Sequence, residues 1–212
     1  MKKIILITLI IINFILYIPT IAKNRKMILD GKNIVIDPGH GGKDVGASYK
    51  DIYEKDINLN ISLYLKKELE RFGANVILTR EGDYDLSYPN ASFRKKSDFN
   101  NRIRIINENN TDIFLSIHQN YYRDSKYSGT QIFYKGNKEL EDYIQKKINP
   151  KRKTKKISNE LYMYSKIKTE GLLIECGFLS NYQDRKKLTS TEYQKLFAKE
   201  IVYAIVEYLT KN

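Results

Sequence analysis

The chain has 212 residues, 42% of them hydrophobic, and a single cysteine, Cys176. That is enough material for one domain with its own core, and it excludes a small scaffold held by internal disulfides. Five of the twelve net positive charges lie before Met27, with no acidic residue among them, which leaves +7 for the rest; an excess of that size on an exported domain suits the anionic polymers of a cell wall or a membrane surface and argues against nucleic acid as a partner.

In chain order, Met1-Lys2-Lys3 opens an apolar run from Ile4 to Ala22 that closes on Lys23, Arg25 and Lys26. Residues 1–26 read as a signal peptide or an N-terminal membrane anchor through residues 4–22, and Thr20-Ile21-Ala22 is a weak match to a small-x-small cleavage site. Residues 27–212 are then the folded domain, placed outside the cytoplasm. Asn33 to Asp37 is a β-rich run that breaks at Pro38-Gly39-His40. From Asp56 to Glu70, Ile57, Ile61, Leu65 and Leu69 recur every fourth residue and predict an amphipathic helix that Gly73 ends. Asn75 to Leu78 predicts a strand, Arg94 to Asn107 a helix, and Asp112 to His118 a strand.

Gly129 to Tyr134 reads as a strand near the sheet edge, Lys138 to Ile148 as a helix, and Lys151 to Lys156 as a solvated basic loop. Gly171 to Cys176 predicts another strand, and Thr191 to Leu209 a closing helix with Phe197, Ala198, Ile201, Val202 and Ile205 on one face. Strands alternating with helices imply an α/β fold: a single domain with a mostly parallel mixed sheet flanked by helices on both faces.

The two histidines, His40 and His118, are the only ones in the chain, and each ends an apolar strand-like run. Two imidazoles and one carboxylate leave a tetrahedral Zn²⁺ an open position, the arrangement of zinc hydrolases; the alternative is a pair of histidines satisfied by hydrogen bonds at strand ends. Ligands of open α/β sheets collect beyond the carboxyl ends of strands, where His40, His118 and Glu175 all fall. Glu175 interrupts an apolar strand, so either it has a function or a partner such as Arg80 neutralises it. Adjacent strand residues face opposite ways, so Cys176 cannot share Glu175's pocket and reads as a buried small hydrophobe.

Several strings together carry a resemblance. Val35-Ile36-Asp37-Pro38-Gly39-His40-Gly41-Gly42-Lys43-Asp44-Val45-Gly46-Ala47, then Glu54, Leu78-Thr79-Arg80, Ser116-Ile117-His118-Gln119-Asn120 and Ile174-Glu175-Cys176-Gly177-Phe178-Leu179-Ser180-Asn181 occur in one order. They resemble the zinc-dependent N-acetylmuramoyl-L-alanine amidases across nearly all the chain after residue 26.

The resemblance implies Zn²⁺ held by His40, Glu54 and His118, with Glu175 as the catalytic carboxylate. Among the neighbouring acids, it is this alignment that selects Glu54 over Asp51 and Asp56. Asn120, Arg80 and Asn181 are candidates for contact with substrate or support of the ligands, and Asn181 serves equally well as a turn cap. The implied substrate is peptidoglycan, cut between N-acetylmuramic acid and L-alanine, and the resemblance is strongest to amidases that trim spore cortex. That subgroup implies a functional link to a peptidoglycan deacetylase, and a loosely held ion would allow an accessory protein to control activity. A vegetative wall amidase, a glycan deacetylase or an inactive peptidoglycan-binding module are the competing readings. The chain departs from the family pattern at Tyr121 to Ser128, polar and aromatic where relatives carry a short link of small residues, and at Lys168-Thr169-Glu170-Gly171-Leu172, where a proline is common.

Overall fold

The computed structural model describes residues 27–149, 155–158 and 161–211. The leader reading and most of the basic run lie outside them. Among the described residues, no helix is long and apolar enough to cross a membrane.

Six strands form one sheet in the order β4-β1-β5-β8-β6-β7. They are β1 (Asn33–Pro38), β4 (Asn75–Leu78), β5 (Ile113–Asn120), β6 (Gln131–Lys135), β7 (Lys155–Lys156) and β8 (Gly171–Phe178); β2 (Ser48–Tyr49) and β3 (Ile52–Tyr53) make a separate antiparallel hairpin. The helices are α1 (Glu54–Arg71), α2 (Arg94–Glu108), α3 (Lys138–Ile148), α4 (Tyr162–Lys166), α5 (Tyr182–Leu188) and α6 (Thr191–Lys211). Strands β4, β1, β5 and β8 run parallel, and β6 lies antiparallel to β8. The reversal at β6 follows from its connection: residues 121–130 turn back from the carboxyl end of β5 with no crossover helix.

Alternation along the strands sorts side chains to two faces. Ile34, Ile36, Leu115, Ile117, Ile174 and Cys176 pack on α1, α3 and α6 in the larger core; Val35, Phe114 and Leu173 face Ile106 of α2 and Met163 and Tyr164 of α4 in the smaller one. The mixed parallel sheet between helices on both faces is as the sequence implied, and Cys176 is buried at 2% exposure on the face opposite Leu173.

The structure corrects several boundaries. Helix α1 starts at Glu54 itself, and β5 runs on through Asn120, so His118 lies inside a strand and not at its end. Strand β6 is one place in from the edge, because β7 pairs outside it. The β2–β3 hairpin, β7, α4 and α5 have no counterpart in the sequence reading: at two to seven residues they are too short to show a hydrophobic period.

Candidate metal centre and catalytic carboxylate

The loop after β1 is built for a tight approach. His40 sits at φ 62, in the left-handed region that side-chain-bearing residues rarely adopt. Two buried arginines hold it there. Arg102 of α2 donates to the carbonyls of Pro38 (2.8 Å) and His40 (2.7 Å), and Arg80 donates to those of Pro38 and Gly39 (3.0 Å each) and to Lys55 O at 2.8 Å. Arg102 is neutralised by Asp37 at 2.7 Å and Asp98 at 2.9 Å. Thr79 and Ser116 donate to Asp37 as well, at 2.6 and 3.2 Å. Burial works against the Asp37 carboxylate, but the Arg102 charge and these hydrogen bonds outweigh it and hold its pKa below the ordinary value.

On that frame His40 and His118 meet edge to face, ring centroids 5.1 Å apart. Glu54 reaches between them: its Oε1 lies 3.2 Å from His40 Nε2 and 2.9 Å from His118 Nδ1. One donor atom from each of the three residues falls within 4.8 Å of the others. Glu54 is itself anchored, since Ala47 N donates to Oε2 at 2.7 Å and Gln119 N to Oε1 at 3.0 Å. Two glycines make the approach sterically feasible. A Cβ on Gly39 would stand 2.2 Å from the His118 ring, and one on Gly46, at φ 67, would stand 2.5 Å from Glu54 Oε2.

The electrostatics favour a cation at this point. Burial opposes the His40 cation, yet the Asp44 and Glu54 carboxylates prevail and raise its pKa to about 9. Burial likewise opposes the Glu54 carboxylate, but both histidines pull it far below its usual range. Asp44 lies 2.9 Å from His40 Nδ1 and pairs with Lys95, so His40 Nε2 is left to point at Glu54. The side chains of His40 and His118 are 18% and 20% exposed, enough to be reached from a pocket lined by Lys95, Phe99, Leu161 and Tyr162.

Glu175 pairs in register with His118 across β5 and β8. Its Oε2 is buried with no hydrogen-bond partner among the described residues. Burial pushes its pKa up to about 7, against the pull of His118 and with added repulsion from Glu54. The structural alternative, a salt bridge to Arg80, does not occur: Arg80 spends its donors on the carbonyls of Pro38, Gly39, Lys55 and Gly82. Arg80 therefore supports the His40 loop.

The family profile described as N-acetylmuramoyl-L-alanine amidase matches residues 34–207. The chain belongs to that family. It is 37% identical over 196 residues to the germination-specific N-acetylmuramoyl-L-alanine amidase of Bacillus subtilis (strain 168), covering 87% of this chain and 82% of that one. To the amidase LytC of the same organism it is 29% identical over 89% of its length and 38% of LytC. Among solved structures, the CwlD amidase from Clostridioides difficile, in complex with the GerS lipoprotein, superposes with a TM-score of 0.80 at 38% identity, covering 86% of this chain and 100% of that one. A second amidase, from Clostridium difficile 630, superposes at 0.75 and 27% identity, over 86% and 99% of the two chains.

Two candidate residues of this family member are engaged elsewhere. Asn120 donates to Gln131 Oε1 at 2.8 Å and accepts from Tyr121 N at 2.8 Å. Asn181 caps α5, accepting from Gln183 N and Asp184 N at 3.0 and 3.1 Å. Sequence reasoning had left aside Arg102, Asp37 and Asp44, which hold the loop that carries His40. The sign that could have found them is an arginine on α2 together with an aspartate ending the apolar run of β1 and another in the glycine-rich turn after it. Buried pairing of this kind leaves no hydrophobic period to read.

Proposed function

We propose that this protein is a zinc-dependent peptidoglycan hydrolase that cleaves the amide between N-acetylmuramic acid and L-alanine, acting outside the cytoplasm in spore cortex maturation. The observation that carries the chemistry is the convergence of His40, Glu54 and His118, one donor each within 4.8 Å, beside a buried carboxylate with a free oxygen. A borderline-to-hard donor set of two imidazoles and one carboxylate fits Zn²⁺ with a position left open. When bound there, the ion supplies the Lewis acidity that polarises the scissile carbonyl and makes water a nucleophile near neutral pH.

The protein's own residues supply the rest. Glu175, poised near pH 7, takes the proton of the attacking water and returns it to the leaving nitrogen of L-alanine. Arg80 and Arg102 fix the His40 loop, and Asp44 orients His40. With all four groups in place, an inactive binding module is disfavoured. The cortex assignment is supported by the identity to the germination-specific relative over most of both chains. By the same likeness, an accessory lipoprotein comparable to the partner of CwlD is a candidate regulator. The basic and apolar pattern of residues 1–26 supports a leader or anchor, and the product of peptide removal is a substrate for a peptidoglycan deacetylase.

Mass spectrometry of muropeptides tests this directly. Purified peptidoglycan should lose its stem peptides at the muramoyl amide with the zinc-loaded protein, keep them after chelation, and lose them again when Zn²⁺ is restored. Retained stems with zinc demonstrably bound, both alone and with an accessory lipoprotein added, would overturn the hydrolase reading. A further outcome concerns Asp44. In Asp44→Ala, competition with a chelator should show Zn²⁺ bound about 10- to 100-fold more weakly, because the His40 imidazole loses the carboxylate that orients it.

A further inference from the structure

We propose that the tyrosines beyond the carboxyl ends of β5 and β8 form a stacking platform for the glycan strand that carries the scissile amide, an inference that rests on the peptidoglycan reading above. Tyr121, Tyr122, Tyr127 and Tyr182 are 49%, 55%, 42% and 65% exposed. They sit on the loop that departs from the family's short link, and on the start of α5 beside it.

These rings are not loose. Tyr122 N donates to Ser180 Oγ at 3.1 Å, and Asn181 Nδ2 donates to Ser125 O at 2.7 Å, tying the loop after β5 to the loop after β8. Tyr122 and Tyr127 meet edge to face at 4.8 Å, and Tyr127, stacked on the buried Phe178 at 6.5 Å with Lys126 Nζ 5.4 Å over its ring, braces the group and leaves the stacking faces to Tyr121, Tyr122 and Tyr182. A group of aromatic side chains left in water on a braced backbone marks a binding surface.

Placement selects the occupant. His118 and Glu175 lie on the same two strands whose ends carry the platform. Tyr121 follows His118 by three residues, across the irregular register between His118 and Asn120, so the two lie no more than about 10 Å apart along the chain. The amide hangs from a sugar inside a polymer, so once it is seated over Glu175 the flanking sugars continue past the carboxyl ends of β5 and β8, outside the pocket itself. The C–H faces of pyranose rings pack on the negative face of an aromatic ring, a contact that the ring makes with or without its hydroxyl.

The test uses the full zinc-loaded protein on two substrates, peptidoglycan strands bearing stems and a single-sugar muramoyl peptide. The double variant Tyr121→Ala/Tyr122→Ala should raise KM on the strands about tenfold with kcat unchanged, leave the single-sugar substrate within about twofold, and bind peptide-free glycan strands correspondingly more weakly by calorimetry; Tyr122→Phe should behave as wild type. An equal loss on both substrates would make the rings structural, and no change on either would point to a protein partner as the occupant; both overturn the platform. Failure of the hydrolase reading is separate: wild type would then cleave neither substrate, while calorimetry with peptide-free strands would still decide whether the tyrosines bind glycan.

Discussion

Replacing Glu175 by glutamine is expected to lower stem-peptide release by roughly 10²- to 10⁴-fold, the usual cost of losing a positioned acid–base group, with the zinc content unchanged. Glu175 pairs with His118 in register, yet Oε2 makes no hydrogen bond among the described residues, so no ligand is deprived of a partner by the change. Metal analysis of the purified variant, beside muropeptide release, separates loss of chemistry from loss of metal. A variant that lost both together would show Glu175 to be structural.

The same substitution should also alter stability in the metal-free protein. A carboxyl whose pKa is raised on folding, here from 4.5 to about 7, binds its proton more tightly in the native state. Native stability therefore falls as pH rises through that window, and levels off above it. Glutamine does not titrate, so chemical denaturation from pH 4.5 to 6.5 should show this fall in wild type and little of it in Glu175→Gln; above pH 6.5 the raised His40 pKa adds a fall common to both proteins.

Arg102→Met is expected to destabilise the fold by about 3–5 kcal/mol, the typical cost of removing one partner from a buried charge group. Arg102 is 1% exposed and holds Asp37 and Asp98, which are 1% and 4% exposed, as well as the carbonyls of Pro38 and His40. Removing it strands two carboxylates and frees the loop that keeps His40 at positive φ. The pH dependence has a definite sign. In wild type, Asp37 has a lowered pKa, so its contribution is present above its unfolded value of about 4 and fades as pH falls through the lowered one. Without Arg102, burial favours the neutral acid. The gap between the two proteins should be widest near neutral pH and narrow under acid. Denaturant midpoints at pH 4 and pH 7 check it; equal gaps at both would show that the Asp37 pairing contributes little.

Local patterns in the chain carried most of the architecture. The i, i+4 recurrence of Ile57, Ile61, Leu65 and Leu69 marks α1, and the apolar face of Phe197, Ile201 and Ile205 marks α6. In both cases one long amphipathic face must be buried, and a period of 3.6 residues records it in order. Alternation along the last parallel strand likewise separated Glu175 from Cys176 before any coordinates. The two histidines, the carboxylates and the aspartate-glycine turn are written in the chain, and their likeness to one amidase family was enough to name four candidate residues, three of which, His40, Glu54 and His118, the structure brings within 4.8 Å.

What the chain could not record is distance between segments. His40, Glu54 and His118 come together because parallel pairing of β1 with β5 brings the end of β1 beside His118, inside β5, and α1 begins at the carboxylate. Nothing local distinguishes Glu54 from Asp51 or Asp56. Arg80 was a candidate for Glu175 or substrate until its donors were seen on loop carbonyls, and Asn120 and Asn181 proved to hold β6 and cap α5. Buried polar partners are chosen by three-dimensional proximity and by the need to satisfy every desolvated donor, and that constraint leaves no period in the sequence. The residue types therefore determined the fold class and the chemistry available, while the packing of the sheet decided which of those residues meet.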